Sequence, residues 1–461
     1  MYKTVLLLLC GALITATENV NKQLVLKNVD RSIDLTTQLV KVSATITIEN
    51  TGKEATRTFL LVNEPNTPEE RVSYIGAKES NKYELKVSKA KLDDYPDKSA
   101  YSVRLNQPLE SGRTVTVTLE QILTRSLHPY PTSITQKEKQ LVRYFGNHYF
   151  YTPYAVIKQK TDVMLSSRTI ESYTKLKPVS QSDSTISYGP YNNIEPLTDD
   201  QMIVHFENNS PFLTVTRLER SIEISHWGNI AVEENIEIRH TGALLKGPFS
   251  RYDYQRDTAT THHSVKAYRT ILPAAAHSIY YRDSNGNIST SAVKPFKDWI
   301  QLELRPRFPL FGGWKTSYTL GYSVPSYQYL FKKPSGEYVL VMRLLDHVFD
   351  DMHVEELITS VILPVGVSNI KVVPPYEVER LEDEVTYKYL DNLGRKVIRL
   401  RKTNLVEQHI QDLEISYNWQ QAMLLHEPIL IALALFLMFI LAIIYVRLDF
   451  SLSKPEHSKK E

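Results

Sequence analysis

The sequence predicts a mainly β protein: two tandem, duplicated antiparallel β-sandwich-like domains followed by one transmembrane helix. Three observations predict it. Apolar and polar residues alternate over short runs, an ordered set of motifs recurs after about 190 residues, and one uncharged apolar run lies near the C-terminus.

The alternation is clearest in "NIAVEENIEI", from Asn229. There Ile230, Val232, Ile236 and Ile238 share one parity, while Glu233, Asn235, Glu237 and Arg239 share the other. That is the pattern of a half-buried strand. Glu234 alone breaks it, because its parity points a carboxylate into the core. Burial of this kind can raise a carboxyl pKa into the range useful for acid catalysis. The structural reading is a bulge, a strand edge or an ion pair with a nearby arginine such as Arg251 or Arg256. The structural reading is favoured, since ion pairs also perturb carboxylates. The same strand grammar appears in "TVTVTL" from Thr114, "STISYGPY" from Ser184, "QLELRPRF" from Gln301 and "EYVLVMRL" from Glu337. In "VTYKYLDNLGRKVIRL", Asp391 to Gly394 form the turn of a hairpin.

The repeat supplies the domain organisation. Arg31, Ser32 and Ile33 match Arg220, Ser221 and Ile222; after one inserted residue, Ile46, Ile48, Thr51 and Gly52 match Ile236, Ile238, Thr241 and Gly242. "PLESGRTVTVTL" from Pro108 resembles "PLFGGWKTSYTL" from Pro309, and "HYFYTPY" from His148 falls opposite "HVFDDMH" from His347. Three anchors in one order give two copies of a β-rich domain, 17–215 and 216–420. Glu234 then falls opposite Ala44, a local departure in the second copy.

The two ends define the topology. Lys3 precedes the apolar run Val5 to Ile14, and Thr15, Ala16 and Thr17 are small. This reads as a signal peptide over residues 1–16, since a membrane span needs about 20 apolar residues. Cys10, the only cysteine, lies inside it. The mature chain is therefore expected to have no disulfide, thiolate metal site or cysteine nucleophile. From Ile429 to Val446 the chain runs 18 residues without a charge, about 27 Å as a helix at 1.5 Å per residue. Such a run crosses an endoplasmic reticulum bilayer with little spare length. Arg447, Lys454, Lys459 and Lys460 follow it, while Thr403 to Pro428 contains no Lys or Arg. The expected arrangement is single-pass type I, with the tail 447–461 cytosolic and disordered. Tyr417 and Trp419 before the span and Tyr445 at its end fit an interfacial aromatic belt.

Composition excludes several functions. Lys+Arg 54 against Asp+Glu 52 leaves a net charge of +2, so nucleic acid is not an expected partner. "LLDHVFDDMHVEEL" gathers Asp346, His347, Asp350, Asp351, His353, Glu355 and Glu356, but its spacing matches neither HExxH nor an EF-hand. A solvated loop is expected there, with no metal. His262 and His263 lie in a polar stretch and are expected at the surface. No GxSxG elbow or phosphate-binding GxxxxGK[ST] loop occurs, and the Gly312-Gly313 pair reads as a turn. Catalytic residues and cofactors are expected to be none. Asn287 in "GNIS" and Asn208 in "NNSP" are glycosylation acceptors by pattern, the second weakened by its proline.

"SHWGNIAVEENIEIRHTGALLKGPFSRYDYQR" closely resembles the ribophorin I family. "RPRFPLFGGWKT", "DHVFDD", "NLVEQHIQDLEISY", "IIYVRLDFS", "FYTPY", "ESYTKL" and "FENNSPFLT" extend the likeness over nearly the whole mature chain, and "RTILPAAAHSIYYRD" departs from it only at Arg269, where the family has lysine. The resemblance implies a non-catalytic accessory subunit of the endoplasmic reticulum oligosaccharyltransferase, supporting assembly and nascent-chain presentation. Its implied partners are the catalytic subunit, small membrane subunits and nascent polypeptides. The catalytic subunit of that complex transfers a dolichol-linked glycan to Asn in Asn-x-Ser/Thr. Vertebrate members carry a long helical cytosolic domain associated with ribosome contact; only 15 residues follow Val446 here, so ribosome contact through this chain is not expected. Two other readings fit the residues alone: a type I surface receptor or adhesion protein, and a membrane-anchored lumenal hydrolase using Glu234.

Overall fold

The computed structural model describes residues 17–80, 82–92, 98–256, 263–388 and 391–448. The expected signal peptide, His262 and residues 449–461 lie outside the described residues. Alternating side chains dictate strands wherever the parity pattern holds, and the strands assemble twice in one order. In the first large sheet, Val179–Ser182, Thr185–Ile194, Ala155–Leu165, Leu24–Leu35, Val40–Asn50, Thr114–Leu123, Val72–Glu79 and Tyr83–Glu84 lie side by side. In the second, Glu379–Arg380, Arg395–Leu405, His353–Ile362, Leu213–Ile224, Asn229–His240, Lys315–Pro325, His277–Asp283 and Gly286–Asn287 follow the same sequence of neighbours.

Smaller sheets repeat as well. Leu127–Pro129, Leu141–Asn147, Gln201–Glu207 and Ile170–Tyr173 are ordered like Leu330–Lys332, Tyr338–Arg343, Asp412–Asn418 and Ser368–Val373. The inward faces meet in two separate apolar cores, one around Val29, Ile46 and Phe206, the other around Leu218, Ile236 and Leu340. Apolar burial of this kind contributes roughly 25 cal/mol per Å², which holds the sheets together without disulfides.

One detail departs from a purely antiparallel expectation. Leu24–Leu35 pairs with Ala155–Leu165 in parallel, and Leu213–Ile224 with His353–Ile362 in the same way. Parallel neighbours need a long crossover, and each pair is separated by the strands of the smaller sheets.

The copies meet end to end. Gln38, Leu39 and Ile122 of the first copy reach loops of the second that precede His353 and follow Asn404. Gln38 Nε2 donates to the Asp351 carbonyl at 2.8 Å, Lys41 Nζ lies 2.5 Å from Asp351 Oδ1, and Thr124 Oγ1 donates to Asn404 Oδ1 at 2.8 Å. Leu39, Ile122 and Val406 form a small apolar cluster at this joint. A short parallel pairing of Ser133–Ile134 with Leu244–Leu245 adds a second seam. The C-terminal helix, His426–Arg447, has no buried residue, and between its charged ends it is long and apolar enough to cross a membrane.

Candidate functional site

Glu234 sits where its parity places it, buried in the core of the second copy. Its partner is neither Arg251 nor Arg256, which lie exposed on a short helix, Arg251–Arg256. The partner is Arg220, directly opposite Glu234 in the strand register. Arg220 shares parity with the buried Leu218, Ile222 and Ile224, so the guanidinium too points inward. Arg220 Nη1 donates to Glu234 Oε1 at 2.5 Å and to Asp346 Oδ2 at 2.8 Å. Tyr322, two positions along from the residue opposite Glu234 on the next strand, accepts from Arg220 Nη2 at 3.3 Å and donates to Asp346 Oδ2.

One cation thus faces two carboxylates inside the protein. Burial pushes the Glu234 carboxyl up to about 7, with Arg220 opposing the shift and Asp346 adding to it. For Arg220, burial works against the charge, but Asp346, Tyr322 and Glu234 outweigh it and hold the guanidinium well above its usual value. A pocket of about 220 Å³ is lined by Arg220, Tyr322 and Asp346, among others, and Glu234 is not among its lining residues. A catalytic acid must reach its substrate within hydrogen-bond distance. Glu234 is sealed behind Arg220.

The first copy solves the same position differently. Arg31, also buried, donates to the carbonyls of Asn147, His148 and Tyr149 at 2.6, 2.8 and 3.2 Å, to Glu64 Oε1 at 3.2 Å and to Thr161 Oγ1 at 3.2 Å. Carbonyl oxygens replace one of the carboxylates, and Ala44 fills the place of Glu234 opposite Arg31. A buried arginine pinning strand to loop is therefore a device of the repeated unit.

The acidic run is not a solvated loop. Asp346, His347 and His353 are buried, and Asp351 is committed to the joint with the first copy. His347, Asp350 and Glu407 bring possible ligand atoms within 4.8 Å of one another. Both carboxylates already have partners: Asp350 holds Arg269 through contacts of 2.7, 3.0 and 3.2 Å, and Glu407 Oε1 accepts the Asp351 N–H at 2.7 Å. His263 is buried as well, contrary to its expected surface position, and its carbonyl lies 2.9 Å from His240 Nε2. A cleft of about 500 Å³ opens at the joint between Leu39, Arg71, Arg125 and His353.

At the base of the helix, Arg395 donates to Glu223 at 2.9 Å and to Glu427 at 3.1 Å, and His426 Nε2 lies 2.8 Å from Asn392 Oδ1. Tyr417 is fully buried in the sheet, so it does not serve as the interfacial aromatic expected of it. Trp419 stacks on His226 with ring centroids 3.7 Å apart and donates to the Val365 carbonyl at 2.9 Å. Burial lowers the His226 imidazole to about 4, which keeps it neutral in this stack at pH 7.

The acceptor asparagines differ sharply. Asn287 is exposed on Gly286–Asn287. Asn208 is fully buried; its Nδ2 donates to the carbonyls of Leu35 and Thr37, each at 3.2 Å, and its Oδ1 accepts from Ser210.

These features define a class: a duplicated β-protein with, among the described residues, one helix of membrane length, in which the buried Arg31, Arg220, Glu234 and Asp346 are bonded within the fold. The ribophorin I family model matches residues 24–446, and the chain belongs to that family. It is 42% identical over 429 residues to the Caenorhabditis elegans dolichyl-diphosphooligosaccharide–protein glycosyltransferase subunit 1, covering 92% of this chain and 72% of that one. It is 38% identical over 465 residues to subunit 1A of Arabidopsis thaliana, covering 98% and 75%. Among solved structures, an M1 zinc metallopeptidase from Deinococcus radiodurans overlaps 44% of each chain with a TM-score of 0.25 and 12% identity, a likeness that bears on neither fold nor function.

Proposed function

We propose that this chain is a non-catalytic subunit of the endoplasmic reticulum oligosaccharyltransferase, working in assembly and nascent-chain presentation beside a separate catalytic subunit. Family membership over residues 24–446 carries the assignment to the complex. The engagement of Glu234 by Arg220, behind the pocket's lining residues, supports the non-catalytic role. In this reading both β copies are lumenal, the helix crosses the membrane once, and Arg447 meets the cytosol. The partners are the catalytic subunit, small membrane subunits and nascent polypeptides. Affinity purification in mild detergent should recover the catalytic subunit with this chain. A monodisperse monomer lacking it would contradict the proposal.

Glycosylation gives a second expected result. Asn287 should carry a glycan that endoglycosidase H removes, as in a resident of the endoplasmic reticulum. Asn208 should be unmodified, because a glycan on its Nδ2 would break the bonds to Leu35 and Thr37 in the interior. Glycopeptide mass spectrometry distinguishes the two sites. A glycan on Asn208 in folded protein would contradict this placement, and Golgi-processed, resistant glycans on Asn287 would favour a surface protein instead.

A further inference from the structure

We propose that the end of the second copy from which the helix leaves rests on the bilayer itself, with Trp227 and Tyr327 seated at the lipid headgroup boundary. The inference rests on the reading of His426–Arg447 as a membrane span and goes beyond it by assigning a lipid-contacting face to the β domain.

Strand register brings the relevant loops to one end. Glu223 lies opposite Ile362, Ile362 opposite Val397, Asn229 opposite Pro325 and Ser368 opposite Asn418. The turn after Ile224, the turn after Pro325, the hairpin before Arg395 and the exit after Asn418 therefore project together. The Ser326 N–H donates to the Gly228 carbonyl at 3.0 Å, which ties the first two turns. Only residues 419–425 separate the last strand from the helix, and Glu427 and His426 are held to Arg395 and Asn392. The domain cannot lift far from the membrane that the helix enters.

The tips at this end are aromatic and apolar. Trp227 is 71% exposed, Tyr327 74%, Tyr387 65% and Leu393 55%. Trp and Tyr favour the membrane interface, where an apolar ring meets a polar edge. Four of the charges nearby are joined: Lys388 and Arg395 both bind Glu223, and Arg395 also binds Glu427. Internal comparison points the same way. In the first copy the corresponding turn, residues 36–39, is seated on the far end of the second copy through Gln38 and Leu39. The second copy presents its own version of that end with no third copy to receive it, and there the chain becomes the helix. What covers the first copy's end is protein; what lies before the second copy's end is the membrane.

The test uses the full chain in phosphatidylcholine nanodiscs, with and without brominated acyl chains, as wild type, Trp227→Phe and Trp227→Phe/Tyr327→Trp. Both positions are exposed, so the variants should fold. Bromolipid should quench wild-type tryptophan emission, Trp227→Phe should lose the largest share of that quenching, and Tyr327→Trp should restore it. Nanodisc-bound chain whose quenching is unaffected by either change would overturn the lipid contact while leaving the membrane span intact. Failure of the chain to co-elute with nanodiscs would overturn both. Hydroxyl-radical footprinting supplies the remaining arm: Trp227 shielded in the purified complex but not in the nanodisc would mean that the tips dock on another subunit, against this assignment.

Discussion

Replacing Arg220 with methionine is expected to lower the unfolding free energy by about 3–5 kcal/mol, the cost of leaving buried carboxylates without their cation. Arg220 is fully buried and bonded to Glu234, Asp346 and Tyr322, so its removal leaves two acids in the core without their cation. Glu234→Gln should behave differently, because it keeps an acceptor for Arg220 and removes one of two competing negative charges. The pH dependence distinguishes them further. Folding raises Glu234 from its ordinary 4.5 to about 7, so the folded state holds this proton more tightly. Its contribution to stability is therefore present below about pH 4.5 and is lost as pH rises through about 7. Glu234→Gln should be progressively more stable relative to wild type across that window. Chemical denaturation of both variants between pH 5 and 8 checks the order, and a tolerant Arg220→Met would contradict the structural role of the cluster.

Gly312→Ala is the second change expected to act strongly. A Cβ at Gly312 would stand 1.7 Å from the Ala243 carbonyl oxygen and 2.5 Å from its carbon, and a backbone cannot swing aside as a side chain does. Overpacking of this severity should cost about 3 kcal/mol. The displaced segment also pairs Leu244–Leu245 with Ser133–Ile134 of the first copy, so the joint should loosen and become sensitive to limited proteolysis. Gly336→Ala provides the contrast. Nothing lies within 4 Å of its Cβ, and only its φ of +85° penalises alanine, by about 1 kcal/mol. Equal effects from the two substitutions would show that close approach at Gly312 is not what fixes the glycine.

The sequence carried the strands and their duplication because parity and motif order are local properties. Ile230, Val232, Ile236 and Ile238 are all buried, as their alternation requires; the first two anchor pairs run into equivalent strands, and the third leads into the equivalent strands Ala155–Leu165 and His353–Ile362. The inward aim of Glu234 was legible for the same reason. Its partner was not, since Arg220 lies 14 residues away and becomes the nearest cation only once strand register is known. A clue was present: Arg220 shares core parity with Leu218 and Ile222, as Arg31 does with Val29 and Ile33. Asp346 and Asp351 were harder. A run of acids resembles a solvated loop until residues far along the chain supply the partners, Arg220 of the same copy for one and Gln38 with Lys41 of the first copy for the other. Likewise Tyr417 has the composition of an interfacial aromatic but lies on the core side of the last strand, a matter of tertiary packing.

In the proposed function, buried charge in this chain holds the fold and performs no chemistry, and Glu234→Gln in the intact complex tests this most directly. Glycan transfer to an Asn-x-Thr peptide should proceed at the wild-type rate once assembly and thermal stability are matched. A large fall in turnover, with the complex fully assembled and its melting unchanged, would contradict the non-catalytic assignment.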